Sequence, residues 1–157
     1  MLSLRIILVN AVALLAITGC SSSKMTGPTT SADLASEPLH PGKARICVMR
    51  ISSGLSLASG KVKDGDRMIG ALRQNRYLCW EREPGNTVIR SSWVPLLKVI
   101  EENDDVYELP LTVKAGEVHY LMQQWRMTKP STRLVVLDEE YAKEKLAECR
   151  PTATAED

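Results

Sequence analysis

Phenylalanine is absent from this chain, and histidine occurs only twice. Without Phe, aromatic core volume has to come from three tryptophans and four tyrosines. That favours Trp80, Trp93, Trp125, Tyr77, Tyr107 and Tyr120 as interior residues over a surface row that stacks on glycan. Two histidines, His40 and His119, with no C-x-x-C and no H-x-x-x-H, leave too few ligands for a zinc site. They also form no local Cys-His signature that would activate a thiol. No G-x-S-x-G elbow surrounds Ser52-Ser53 or Ser91-Ser92. The acidic pairs Glu101-Glu102, Asp104-Asp105 and Glu139-Glu140 are chain neighbours whose side chains diverge. Glycoside hydrolysis instead needs two carboxyl groups ~5–9 Å apart across a cleft. No catalytic residue, metal ligand or cofactor is expected.

An excess of one charge is missing too. The chain has 20 basic and 19 acidic residues, and Arg5 is the only charge before position 20. A near-neutral remainder disfavours nucleic-acid binding, which needs many phosphate-neutralising cations. It equally gives no polybasic attraction to anionic membrane.

Long apolar runs are confined to the N-terminus. Arg5 precedes Ile6–Ile17, an apolar stretch broken only by Asn10, and small residues then lead to Cys20. This is the anatomy of a secretory signal over residues 1–19, too short for a span of ~20 apolar residues. Nothing later in the chain approaches that length. Ile17-Thr18-Gly19-Cys20 resembles the bacterial lipobox, and the resemblance implies that Cys20 is lipidated and becomes the first residue after cleavage. Acyl chains contribute ~0.8 kcal/mol per buried methylene, so several on one residue hold a domain at a membrane. Ser21 stands where an inner-membrane retention signal would usually place Asp, which by the same resemblance points to the outer membrane with the domain facing the periplasm. The alternative is an ordinary cleavable signal with a coincidental cysteine.

Residues 20–43 comprise Cys20 and a Ser, Thr, Pro and Gly-rich stretch without hydrophobic period, read as a flexible tether that would spread ~25 Å. From Ala44 to Pro151 short apolar segments alternate with turn residues. Ala44–Ile51 is a strand candidate. Asp64-Gly65 supplies the positive-φ position of a tight hairpin. In Arg76–Glu83, Leu78 and Trp80 alternate with Tyr77 and Cys79, and Pro84-Gly85-Asn86 makes the next turn. Thr87–Val94, Leu96–Glu101, Val106–Val113, Glu117–Met127 and Arg133–Leu137 complete the strand candidates. The period then changes: Asp138 is placed to N-cap a helix, Glu139 and Glu140 fall in its first turn, and Ala142, Leu146 and Cys149 share one face. Residues 152–157 read as a disordered tail. Many short strands and one terminal helix predict a mainly β fold, a small β-sandwich with a C-terminal α-helix.

The turn motifs carry a resemblance of their own. Val62, Asp64, Gly65, Gly70 and Leu72, then Tyr77, Pro84 and Gly85, then Ala115, Gly116, His119 and Tyr120, follow in order. The chain thus resembles the bacterial envelope proteins grouped as domain-of-unknown-function family 2846, many of them lipoproteins. Asn86 and Thr87 stand where members often carry a His after Pro-Gly, and His119 replaces the first of two aromatics. The resemblance implies a two-sheet sandwich of transthyretin or immunoglobulin type and no known activity.

With Cys20 assigned to lipid, Cys47, Cys79 and Cys149 remain. An oxidising periplasm allows one bridge among them. Cys149, on the apolar helix face, would tie that helix to a strand carrying Cys79 or Cys47; Cys79 with Cys149 is the candidate pair. The alternative is three small buried hydrophobes. The expected role is non-catalytic: binding or structural support in the envelope, with a membrane contact through Cys20 and an envelope protein as partner. A carbohydrate- or peptidoglycan-binding module is the alternative, and a periplasmic hydrolase built around His119 the third reading. An unpaired sheet edge offers a further route to a partner strand.

Overall fold

The computed structural model describes residues 30–31, 34–51, 59–94, 106–126 and 131–152. The segment 1–19, Cys20, the strand expected at Leu96–Glu101 and residues 153–157 lie outside the described residues. Among the described residues, ten strands and one helix form: β1 (Thr30–Ser31), β2 (Ala44–Arg50), β3 (Ser59–Asp64), β4 (Arg67–Leu72), β5 (Arg76–Arg82), β6 (Gly85–Val94), β7 (Tyr107–Val113), β8 (Val118–Arg126), β9 (Ser131–Leu137), α1 (Glu139–Ala147) and β10 (Arg150–Pro151).

The strands make two sheets. One has the order β1-β5-β2-β8-β9, with β10 also paired to β5; the other runs β4-β3-β6-β7. Among the described strands all pairings are antiparallel except β2 with β8 and β10 with β5. The fold is therefore the two-sheet sandwich with a terminal helix that the strand spacing predicts.

Alternation decides which side chains fill the interior. Ala44, Ile46 and Val48 of β2, Leu78 and Trp80 of β5 and Leu121 of β8 meet Val62, Ile69, Leu72, Ile89 and Val113 of the other sheet. The opposite parity, Cys47, Met49, Cys79 and Tyr120, faces outward and is covered by Leu34, Ala142 and Cys149. Strand β2 is buried at every position. This explains its near-continuous apolar sequence: covered on both faces, it has no solvent side to keep polar. Helix α1 starts as expected, with the Asp138 carboxylate accepting from the Tyr141 N–H at 2.8 Å.

The Asp-Gly hairpin forms where the sequence places it. Asp64 pairs with Arg67, and Gly65 takes φ +60°, a left-handed conformation that glycine adopts without steric cost. Asp64 also ties the two sheets together. Its carboxylate accepts from the Trp80 indole at 2.9 Å, from Arg82 at 2.6 Å and from the Thr87 hydroxyl.

Two expectations are corrected here. The packed domain begins upstream of Ala44: β1 pairs with Trp80 and Cys79 of β5, and Leu34 is fully buried. The second correction concerns the bridge. Cys79 is joined to Cys47, not to Cys149, which is a free buried thiol. Cys47 and Cys79 are directly opposite on neighbouring strands with Cα atoms 4.1 Å apart. Strand β10 instead pairs with Arg76 and Tyr77, and the Arg150 N–H donates to the Asn75 carbonyl at 2.9 Å. That register brings Cys149 to the start of β5, away from mid-strand Cys79.

Candidate functional site

The N-terminal segment is built onto the outer face of the first sheet by a buried ion pair. Arg45 and Glu81 are cross-strand neighbours on β2 and β5, and their guanidinium and carboxylate meet at 2.5 Å with both side chains nearly inaccessible. Arg45 also donates to the carbonyls of Glu37 at 2.6 Å and Pro38 at 3.1 Å. The ring of His40 reaches the other Glu81 oxygen at 2.6 Å, and its backbone N–H donates to Glu81 as well. Burial alone would raise the Glu81 carboxyl, but the Arg45 bond, the two His40 bonds and the Arg45 charge together hold it below its ordinary value. Pro38, Pro41 and Gly42 gave this stretch the look of a linker; the strand residues that pin it lie far away in sequence.

With Thr30 fixed on β5, residues 21–29 alone separate Cys20 from the folded domain. Ten peptide steps span at most ~35 Å.

The remaining candidate groups are dispersed. Trp80 is fully buried, Trp93 is buried, and Trp125 is half-buried with its ring centroid 5.2 Å from that of Trp93. Tyr120 is buried, while Tyr77 and Tyr107 are half-buried against the two cores. The tryptophans therefore present no exposed row to a glycan. His119 makes its ring contact with Glu117, Nε2 to Oε2 at 3.1 Å. Cys47 and Cys79 are oxidised, and burial, with the Glu148 charge beside it, pushes the Cys149 thiol above its ordinary value. A protonated buried thiol is a poor nucleophile. Ser52, Ser53, Glu101, Glu102, Asp104 and Asp105 lie outside the described residues. Glu139 is bonded to Lys143 at 2.5 Å. Among the described residues no cluster of three His, Cys, Asp or Glu side chains could hold a metal ion. A shallow groove on the outer face of β6 and β7 is floored by Val88 and Pro110, between the Asn86–Thr112 and Arg90–Glu108 hydrogen bonds.

Sequence reading missed a polar chain in the sandwich interior. Gln123 Nε2 donates to Ser91 Oγ at 2.7 Å, and Ser91 Oγ donates to Thr132 Oγ1 at 2.7 Å, all three residues being buried. Gln123 Oε1 and Trp93 Nε1 are buried without a partner. The Gln123 amide fills the space a Cβ would take at Gly60, where such an atom would lie 2.2 Å from it. Because that amide is held by Ser91, it cannot swing aside cheaply. Gly60→Ala is expected to lower stability by about 1–3 kcal/mol. In a double-mutant cycle by urea denaturation, Gln123→Ala in the same chain should recover much of that loss; fully additive effects would contradict the packing described.

No protein-family model, no curated protein and no solved structure matches the chain.

Proposed function

We propose that the chain is a lipid-anchored envelope protein, held at the outer membrane through Cys20 with its sandwich in the periplasm, where it binds or supports other envelope components without catalysing a reaction. The observation that carries this reading is the buried Cys47–Cys79 bridge. A structural disulfide belongs to an oxidising compartment and is rare in a reducing cytosol. A signal-like N-terminus ending in a lipobox-like Ile17–Cys20 is the route by which a bacterial chain reaches one. The order of turn motifs, which resembles domain-of-unknown-function family 2846, supports the same location.

A non-catalytic role is supported by how the thiols and the strand histidine among the described residues are engaged. Two thiols are bonded to each other, the third is buried and protonated, and His119 faces Glu117. Function then rests in contacts made by a domain held close to the membrane. Growth of cells with a fatty-acid analogue tests the anchor. Wild type is expected to carry the label and fractionate with membranes, and Cys20→Ser to lose both. Persisting label in Cys20→Ser would refute the assignment.

A further inference from the structure

Three arginines, far apart in the sequence, fall in one row across three adjacent strands. Arg76 of β5 is directly opposite Arg50 of β2 on one side and Arg150 of β10 on the other. Like charges facing each other across strands are destabilising. Arg50 is buried and donates to the Leu72 carbonyl at 3.2 Å, which leaves Arg76 and Arg150 as the pair that reaches the surface.

Beside the row lies an open cleft of about 360 Å³, lined by Gln74, Asn75, Arg76, Glu148 and Arg150. The lining is polar throughout. Its single acid, Glu148, is already bonded to Lys145 at 2.7 Å. Asn75 holds φ +53° in the turn entering β5, and its carbonyl accepts the Arg150 N–H, which fixes β10 against the strand. Arg76 donates one nitrogen to the Pro151 carbonyl at 3.0 Å, which orients its guanidinium. The Arg150 side chain is exposed. Thus the guanidiniums of Arg76 and Arg150 border one solvent-open space whose lining carries more positive than negative charge.

We propose that this cleft binds a phosphate-class oxyanion, gripped by Arg76 and Arg150 with Asn75 and Gln74 beside it. Planar guanidiniums present paired N–H donors matched to phosphate oxygens, and charge-assisted bonds of this kind are about twice as strong as neutral ones. The site does not depend on the lipid anchor, so its failure would leave the proposed location standing. The ligand is a soluble phosphate or the phosphodiester of a lipid headgroup, which share this chemistry. On the proposed Cys20 anchor the second source would be near, because β1 and β10 both pair with β5.

The test is calorimetric titration of the full chain in detergent, at physiological salt, with inorganic phosphate and separately with glycerophosphoglycerol, the deacylated headgroup of phosphatidylglycerol. Saturable binding is expected for at least one. Tighter binding of the diester identifies the headgroup as the source, and tighter binding of phosphate a soluble ligand. Arg150→Gln should weaken binding about tenfold. The bound anion should also raise the melting temperature of wild type by more than that of Arg150→Gln at the same concentration. Arg150→Gln removes an exposed like charge, so its own melting temperature without anion should not fall. Arg76→Lys, which keeps the charge but loses the fork, should bind more weakly than wild type. Absence of saturable binding to both probes, or equal affinity in wild type and Arg150→Gln, would overturn the proposal.

Discussion

A Cys47→Ala/Cys79→Ala variant is expected to lose about 3–4 kcal/mol of unfolding free energy. The two cysteines are 32 positions apart, and closing a loop of that length removes entropy of this order from the unfolded chain. The bridge joins two inner strands of the larger sheet, and its sulfurs lie in the layer between that sheet and the helix, among Leu34, Met49, Tyr120 and Ala142. Losing it therefore weakens both the β2–β5 pair and the cover over it. In urea the midpoint should drop substantially, and the melting temperature should fall by roughly 10–15 °C. Cys149→Ala is the control. It should leave the bridge intact, with the two-hydrogen mass deficit of the oxidised pair, and cost only what a small buried side chain contributes. Wild-type stability in the double variant, or loss of the mass deficit in Cys149→Ala, would contradict the pairing.

Arg45→Met is expected to be comparably costly, at about 3–5 kcal/mol, because removing one partner leaves the other charge buried. The Glu81 carboxylate would retain only His40, and the carbonyls of Glu37 and Pro38 would lose their donor. Arg45→Met/Glu81→Leu removes both charges and should recover part of the loss, since an apolar pair of similar volume is often tolerated. The same pair gives stability a defined pH dependence. Glu81 titrates in the folded chain below its ordinary value of 4.5, so the unfolded chain binds its proton more readily. Its contribution is fully present above that ordinary value and is lost as pH falls through the lower folded value. Urea midpoints at pH 7 and pH 3 should therefore differ more in wild type than in Glu81→Gln. Identical pH dependence in the two would show that Glu81 does not carry the effect.

Much of the sandwich was legible because its signals are local. Asp64-Gly65 gives its own turn, Leu78 and Trp80 alternate with Tyr77 and Cys79 within a single strand, and Asp138 caps the helix it precedes. Features created by pairing of distant segments were hidden. The stretch from Leu34 to Lys43 reads as linker until Arg45 and Glu81 are known to face it. The cysteine partner depends on the register between β2 and β5, and Cys149 falls out of reach only because β10 pairs with Arg76 and Tyr77. The arginine row follows from those same registers, with Arg50, Arg76 and Arg150 each ordinary in its own segment. Gln123 and Ser91 sit at core parity on strands with otherwise mixed faces, so their polar chain has no sequence signature.

These features meet at β5. One of its edges carries β1, which leads back to Cys20, and β10, which closes the arginine cleft; its other side is bridged to β2 by the disulfide. The intact mass of the protein extracted from membranes tests the anchored, oxidised account most directly. The expected species begins at Cys20, carries the mass of acyl chains on that residue, and is two hydrogens light for the Cys47–Cys79 bridge. An unmodified Cys20, or a chain that still begins at Met1, would contradict it.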